Sequence, residues 1–279
     1  RSPHMSEANK DQIEFWNGEA GNQWVAEQAY LDSLLAPLSE QALAAAAPKA
    51  TERVLDVGCG CGTTSLLLAQ RCAEILGVDI SGPMIKRAQE SSADQANASF
   101  TQADASAWRG DQPFDLAFSR FGVMFFDDPV AAFSNIRRNL SDSGRLCFIC
   151  WRAPQDNPWL AVPMAAAQPF LPEAPAADGP NPFAFADTDF VTDVLTQAGF
   201  QAPNFALTET QLTLGQGIEE AIAFLTRIGP LSRVVSELDQ PTQEKALAAA
   251  RAALEPLVSA EGLRMDASTW IVTAAASPS

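Results

Sequence analysis

Apolar runs alternate with segments of helical periodicity through the middle of the chain. Uninterrupted apolar runs predict buried strands, and apolar residues recurring every three or four positions predict amphipathic helices. The predicted strands are Arg53–Val57, Ile75–Asp79, Ser99–Ala103, Phe114–Ser119 and Gly144–Trp151. The predicted helices between them are Thr63–Cys72, Pro83–Ser91 and Asp128–Leu140. Strands alternating with helices predict an α/β fold, a parallel, doubly wound sheet with helices on both faces.

The segments that flank this core have other patterns. Two helices are predicted before it, Glu7–Tyr30 and Leu31–Ala47. A proline-rich stretch follows Trp151 and contains an apolar segment around Leu160 to Phe170. The remaining predicted elements are a helix at Phe190–Ala198, a strand at Phe205–Leu214, broken helices within Ile218–Leu257 and a last strand at Thr269–Ala274. Since no repeat or linker interrupts the chain, we predict one domain over residues 1–279.

Acidic residues outnumber basic ones. The chain carries 34 Asp and Glu against 18 Lys and Arg, a formal net charge of −16 at pH 7. Such a surface repels phosphate backbones and anionic lipids, so we expect no nucleic-acid partner. Apolar runs fall short of the ~18 residues of a membrane span, and we expect no membrane insertion. An odd number of cysteines, 5 in all, fits a reducing compartment. The sequence predicts a cytoplasmic protein and leaves open a homodimer.

The chain has a single histidine, His4. Residues 1–4 resemble an expression-vector remnant ahead of Met5, so the native chain is expected to have none. Catalytic triads, Cys-His pairs and histidine-ligated zinc are then excluded. Cys147 and Cys150 have the spacing of metal ligands, but residues three apart in a strand point to opposite faces. We therefore predict no metal site.

A glycine-rich segment follows the first predicted strand and precedes a helix, with glycines at positions 58, 60 and 62. Such a turn exposes backbone N–H groups at the positive end of a helix. Its spacing does not match a dinucleotide fingerprint, because Thr63 and Ser65 stand where glycine or alanine is needed, and it lacks the lysine of a phosphate loop. Asp56 next to the turn disfavours pyrophosphate and favours a ligand with an ammonium or sulfonium group.

Two further carboxylates follow the next two strands, Asp79 and Asp104. The carboxyl ends of parallel strands meet at one edge of a sheet, the edge that the glycine-rich turn occupies. A carboxylate at the end of the second strand can accept hydrogen bonds from both hydroxyls of a ribose. With Ile80 available to pack on a base, the pattern predicts an adenosine site.

These motifs, together with Phe114–Ser119, resemble those of class I S-adenosylmethionine-dependent methyltransferases over about residues 50–152. The segment from Ser119 to Leu146 is similar to the small-molecule branch that includes the quinone-biosynthesis methyltransferases. The motifs typical of the nucleic-acid branches, Asn/Asp-Pro-Pro-aromatic and Pro-Cys, are absent from the sequence. The resemblance implies a Rossmann-like seven-stranded sheet with an antiparallel last strand, the cofactor S-adenosylmethionine and a small-molecule substrate.

The resemblance also implies residue roles. The turn and Asp56 would hold the methionine part, Asp79 the ribose, and Asp104 with Ala105 the adenine. Ser119 would face the cofactor, and Arg120 is the candidate substrate anchor. We expect the side chain of Cys59 to act as a small filler in the turn. The complete set of predicted cofactor-binding residues is Asp56, Gly58, Cys59, Gly60, Asp79, Ile80, Asp104, Ala105, Ser119 and Trp24.

The flanking segments are expected to cover the site. Residues 1–47 comprise the vector remnant and N-terminal lid helices, residues 50–152 the cofactor-binding core, and residues 153–186 and 215–263 the substrate-covering insertions. Trp16 and Trp24, eight positions apart, would share one face of a single helix. The sequence identifies neither the methyl acceptor nor a catalytic base. A binding module with the same fold and no turnover is the alternative that stays open.

Overall fold

A computed structural model describes residues 9–173 and 181–276. These residues group into two compact units. The first comprises residues 9–151, 181–208 and 269–276, and the second comprises residues 152–173 and 209–268. The second unit thus combines most of the two segments predicted as insertions. The assignment of the whole chain to one domain stays a prediction, as does a covering role for those segments.

The described residues form a mixed sheet of eight strands with helices around it. Its strands are β1 (Arg53–Val57), β2 (Glu74–Asp79), β3 (Ala98–Gln102), β4 (Phe114–Arg120), β5 (Leu140–Trp151), β6 (Asn204–Gly215), β7 (Val258–Ser259) and β8 (Gly262–Ala275). The strand order is β3-β2-β1-β4-β5-β8-β6, with β7 paired to β8. The first five strands are parallel, and β8 is antiparallel to β5. The predicted fold is confirmed, and the strand beyond the expected seven is the two-residue β7.

Helices connect the strands and extend both flanks. They are α1 (Lys10–Asn17), α2 (Glu19–Ala26), α3 (Gln28–Ala46), α4 (Thr63–Ala69), α5 (Gly82–Ser91), α6 (Pro129–Asn139), α7 (Pro158–Ala167), α8 (Thr188–Gln197), α9 (Ile218–Leu225), α10 (Pro230–Ser236) and α11 (Gln240–Leu254). The start of α6 follows capping rules: Asp128 accepts the N–H of Ala131 at 3.0 Å, with Pro129 in the first turn. None of the described helices combines the length and apolar composition that crossing a bilayer requires.

The core of the first unit lies along β4 and β5. Its largest fully buried side chains include those of Phe114, Phe118, Phe133, Phe148 and Phe185. Phe185 packs against Phe133 and Phe148 with ring centroids 5.9 Å apart in both pairs. Phe185 thus completes the core of the first unit, although it lies near the end of the segment 153–186, whose role as an insertion stays a prediction.

In the second unit, the side chain of Asn157 is fully buried and hydrogen-bonds to both segments of the unit. Its Oδ1 atom accepts the backbone N–H of Ser268 at 2.8 Å and the indole N–H of Trp159 at 3.1 Å. The Arg152 guanidinium donates to the Ser268 hydroxyl at 2.8 Å. The two bonds to Ser268 join residues more than one hundred positions apart in sequence, and so connect the two separate segments of the second unit.

The predicted helix Glu7–Tyr30 is interrupted. Its first two residues lie outside the described residues, and the rest divides into α1, α2 and the start of α3, with breaks at Gly18 and Glu27. Trp16 and Trp24 therefore belong to different helices, and the expectation that they share one helix face is wrong. Their rings still contact edge to face, with centroids 5.8 Å apart, because the break at Gly18 turns α2 back onto α1.

Candidate functional site

The glycine-rich turn after β1 has positive φ angles at Gly58 (+65°) and Gly60 (+55°), which favour glycine. A Cβ atom at Gly58 would lie 2.8 Å from the Cα of Gly122, so this glycine lets the turn pack on the backbone that follows β4. A Cβ atom at Gly60 would meet only the Met84 sulfur, at 3.6 Å. The turn is thus closely packed at Gly58 and open at Gly60.

Asp79, at the end of β2, holds this turn in place. Its Oδ2 atom accepts the N–H of Gly60 and its Oδ1 atom accepts the N–H of Ser81, both at 2.8 Å. Burial raises the pKa of the Asp79 carboxyl, although backbone hydrogen bonds oppose the shift. Since each carboxylate oxygen can accept more than one hydrogen bond, Asp79 keeps acceptor capacity for a ligand.

Asp56, near the end of β1, is fully buried. Its Oδ2 atom accepts hydrogen bonds from the hydroxyls of Thr64 at 2.8 Å and Ser65 at 2.6 Å. Its Oδ1 atom has no hydrogen-bond partner among the described residues. Burial raises the pKa of Asp56 to about 6, since desolvation outweighs the two hydroxyl bonds. At neutral pH this is an underpaired buried carboxylate, which favours a cationic or donor-rich ligand.

Arg120, at the end of β4, is largely buried, and its charge interacts with that of Asp56. Its Nη1 atom donates to the Ser39 hydroxyl at 3.0 Å, and its Nη2 atom lies 3.9 Å from Oδ1 of Asp32. Burial lowers the pKa of Arg120, and the charges of Asp32 and Asp56 oppose that shift. Arg120 is therefore an internal counter-ion held by α3, whereas the sequence analysis expects it to contact substrate. That role as a substrate anchor stays a prediction.

Asp32 and Ser39 belong to no motif that marks them in the sequence. They lie seven positions apart on α3, two helical turns, and so share the face that contacts Arg120. Asp32 also accepts a hydrogen bond from the Thr63 hydroxyl at 2.8 Å. A signal was present, since Asp32 is a charged residue beside the buried Leu31 and Leu35 of α3, but its partner Arg120 lies far away in sequence.

The N-terminal helix α1 is fastened at both ends to the loops at the carboxyl edge of the sheet. At its start, the Asn9 side chain donates to Oδ1 of Asp104 at 2.9 Å and accepts the N–H of Asp127 at 3.0 Å. At its end, the Asn17 side chain donates to the Ile80 carbonyl at 2.7 Å and accepts the N–H of Gly82 at 2.8 Å. The predicted residues Ile80 and Asp104 therefore lie under α1.

The other predicted site residues form hydrogen bonds or packing contacts within the protein. The Ser119 hydroxyl donates to the Val57 carbonyl at 2.7 Å and accepts the N–H of Gly122 at 3.1 Å. The Ala105 carbonyl accepts from the Asn135 side chain at 2.8 Å. Cys59 packs in an apolar cluster with Phe100, as expected of a filler, and burial raises the pKa of its thiol. Contact of these residues and of Trp24 with a cofactor stays a prediction.

The cysteine pair in β5 behaves as its spacing predicts. The sulfur of Cys147 lies 3.8 Å from the Ala42 carbonyl, whereas that of Cys150 lies 3.9 Å from the Phe185 carbonyl. These partners belong to elements that cover opposite faces of the sheet, so the two thiols do not converge. Within residues 9–173 and 181–276, the acidic, cysteine and histidine side chains form no group of three suited to a metal ion.

Comparison with known proteins identifies the family. A family model described as a methyltransferase domain matches residues 54–144, from β1 into β5. The malonyl-[acyl-carrier protein] O-methyltransferase of Salmonella typhimurium is 31% identical over 179 residues, covering 61% of this chain and 67% of that protein. The chain belongs to the class I S-adenosylmethionine-dependent methyltransferases.

Two other matches differ in the extent of chain that they cover. An uncharacterised protein of Mycobacterium tuberculosis is 30% identical over 166 residues, and the chain matches 59% of its length. The crystal structure of the YcgJ protein from Bacillus subtilis superposes with a TM-score of 0.56 at 16% identity, covering 86% of this chain and 98% of that one. The latter likeness concerns the fold alone.

S-adenosylmethionine, the cofactor of this family, carries a sulfonium and an ammonium group, and the residues present fit both. The unpartnered Oδ1 atom of Asp56 is a buried anionic acceptor, and the space next to Gly60 leaves the backbone of the turn open. Asp32 and Asp79 add two carboxylates near Cys61, and Arg120 is the buried counter-charge of Asp32 and Asp56. The site is therefore suited to a cation and unsuited to pyrophosphate.

Proposed function

We propose that the chain transfers a methyl group from S-adenosylmethionine to a small-molecule acceptor. The observation that carries this proposal is the unpartnered, fully buried Oδ1 atom of Asp56 beside the open turn at Gly60. A buried acceptor without a partner destabilises the fold by about 1–3 kcal/mol, and a ligand ammonium group would remove that cost. Family membership supports the same cofactor.

In this proposal, different residues of the site bind different parts of the cofactor. Asp56 and the turn hold the methionine part, and Asp79 accepts hydrogen bonds from the ribose hydroxyls with the capacity left by its two backbone bonds. Ile80 and the Asp104-Ala105 segment form the adenine site under α1. The fastening of α1 by Asn9 and Asn17 supports this arrangement, because it covers that part of the edge.

Catalysis in this proposal rests on alignment and exclusion of water. Bound S-adenosylmethionine supplies a methyl group already activated by the positive sulfonium. The chain contributes position: the Ser119 hydroxyl bridges the end of β1 and Gly122, which fixes the turn after β4 against the cofactor turn. Holding an acceptor in line at about 3–3.5 Å provides much of the acceleration. We expect turnover to follow the ionisation of the acceptor's own nucleophile.

The first experiment tests binding through Asp56. Calorimetry would compare S-adenosylhomocysteine with an analogue that lacks its ammonium group, in wild type and in Asp56→Asn. We expect the analogue to bind wild type about tenfold more weakly or worse, and Asp56→Asn to lose this preference. Equal binding of both compounds to wild type would contradict the proposed role of Asp56.

The second experiment tests turnover, which separates an enzyme from a binding module. The protein would be incubated with isotopically labelled S-adenosylmethionine and a metabolite extract, and separately with malonyl-[acyl-carrier protein], since the Salmonella relative is named for that substrate. Mass spectrometry should detect a labelled product and S-adenosylhomocysteine in equal amounts. Tight cofactor binding without any labelled product would favour the module.

The proposal extends to partners and compartment. The odd number of cysteines, five, supports a cytoplasmic protein, the net charge of −16 supports the lack of a nucleic-acid partner, and a homodimer stays open. A salt-dependent shift of a labelled RNA or DNA duplex at submicromolar protein would contradict the nucleic-acid part. Light scattering of the purified chain would determine its oligomeric state.

A further inference from the structure

Helix α1 has a polar residue at its buried position. Its one buried residue is Gln12, which is 8% exposed. The Oε1 atom of Gln12 has no hydrogen-bond partner in the part of the chain that the structure describes. An apolar side chain would be the ordinary choice at such a position, because an unpaired buried acceptor costs about 1–3 kcal/mol. The glutamine therefore points to a hydrogen-bond donor supplied by a ligand.

The two fastenings of α1 define where Gln12 lies. Asn9 bonds to Asp104, after β3, and Asn17 bonds to the Ile80 carbonyl, after β2. The two asparagines are about 12 Å apart along the helix, at 1.5 Å per residue. Gln12 follows Asn9 by three positions and precedes Trp16 by four, so all three share one face. Gln12 thus lies above the stretch between the ends of β2 and β3.

That stretch contains the adenine site of the proposed function. A glutamine carboxamide has an acceptor oxygen and a donor nitrogen side by side, the pair that matches the amino group and a neighbouring ring nitrogen of adenine. We infer that Gln12 is a specificity-determining residue that accepts a hydrogen bond from the exocyclic amino group of the adenine base. This inference rests on the proposed function, since it assumes that an adenosine ligand occupies the site.

The test compares two ligands in the full chain, S-adenosylhomocysteine and its purine analogue without the exocyclic amino group. Wild type should bind the amino-free analogue about tenfold more weakly, because Oε1 then stays unpaired. Gln12→Leu should bring the ratio of the two dissociation constants close to unity. Gln12→Glu retains an acceptor oxygen and should retain the preference for the amino group.

Gln41 provides a matched control. It lies on α3, and its Oε1 atom is also buried without a partner within the described residues. Each leucine variant removes an unpaired acceptor, so both should unfold at equal or higher denaturant concentration than wild type when no ligand is present. Only Gln12→Leu should alter the ligand ratio. A purely structural glutamine would leave that ratio unchanged.

The outcomes distinguish the role of Gln12 from the proposed function. Wild-type binding of S-adenosylhomocysteine without preference for the amino group would overturn the role of Gln12 and leave the proposed function intact. A preference that survives in Gln12→Leu would do the same. Failure of wild type to bind either compound would overturn the proposed function, and this inference with it.

Discussion

Ionisable side chains are paired at the amino end of the parallel strands and underpaired at the carboxyl end. At the amino end of β1, the Arg145 guanidinium donates to both carboxylate oxygens of Glu52, at 2.5 and 2.9 Å, and Arg53 pairs with Glu74 at 3.0 Å. At the carboxyl end, one oxygen of the buried Asp56 has no partner among the described residues. Strand β1 therefore has paired charged side chains at its start and the underpaired Asp56 near its end.

The pKa shifts follow this difference. The hydrogen bond from Arg145 lowers the pKa of Glu52, whereas burial raises the pKa of Asp56 to about 6 and also raises that of Asp79. Paired charges stabilise the protein without any ligand. The underpaired carboxylate of Asp56 costs stability that a bound cation can restore, so the carboxyl end is adapted to binding.

The largest expected effect is on affinity and compares the two ends of β2. Asp79→Ala removes the acceptors of the Gly60 and Ser81 N–H groups as well as the proposed ribose contacts. Hydrogen bonds to a charged group contribute about 1.5–3 kcal/mol each, so S-adenosylhomocysteine should bind about 100-fold more weakly or worse by calorimetry.

Glu74→Ala, at the start of the same strand, is the control for Asp79→Ala. Glu74 is exposed and pairs only with Arg53 in the contacts described above, so its removal should leave the dissociation constant unchanged. Wild-type affinity in a folded Asp79→Ala protein would contradict the difference between the ends.

The second effect is the pH dependence of stability that Asp56 confers. The carboxyl ionises near pH 3.9 in the unfolded chain but near pH 6 in the fold. Between these values the native state binds more protons, so the free energy of unfolding falls as pH rises, by about 3 kcal/mol in total. Asp56→Asn should remove this decline, as measured by urea unfolding between pH 4 and pH 7. Parallel profiles of the two proteins would exclude the shift.

The third effect separates two glycines within the carboxyl-end turn. Gly58→Ala places a methyl group 2.8 Å from the Cα of Gly122 and should destabilise the fold by about 2–3 kcal/mol. Gly60→Ala meets only the Met84 sulfur, at an ordinary contact distance of 3.6 Å, so it should cost only about 1 kcal/mol of backbone strain while weakening cofactor binding. Denaturant unfolding and calorimetry on both variants measure the two quantities. Equal stability losses would contradict the assigned difference in packing.

The smallest effect belongs to the amino end. Glu52→Gln weakens a partly exposed ion pair with Arg145 and should cost about 0.5–1 kcal/mol at neutral pH. Because the pKa of Glu52 is lowered in the fold, its contribution is present above the unfolded-state pKa and is lost as pH falls through the folded value. Unfolding in urea at pH 7 and pH 3 would reveal this trend. A change in cofactor affinity would show that the amino end also serves binding.

The sequence by itself determined the alternating core, the glycine-rich turn and the carboxylates that follow β1 to β3. These features depend on periodicity and on positions at strand ends, which are local properties. The strand bounds of the first five strands agree with the prediction to within one residue, except at the start of β5. There the predicted start is Gly144 and the observed start is Leu140, because Leu140 pairs with Phe114 across a register shift.

Only the tertiary structure decided which partners the polar side chains find. The pairing of Arg120 with Asp32, the fastening of α1 by Asn9 and Asn17, and the unpaired acceptor of Gln12 all join positions distant in sequence. The same holds for Phe185, which joins the core of the first unit from a segment predicted as an insertion. Whether a buried polar group is satisfied depends on the three-dimensional environment of each atom, and no local pattern of residues encodes that environment.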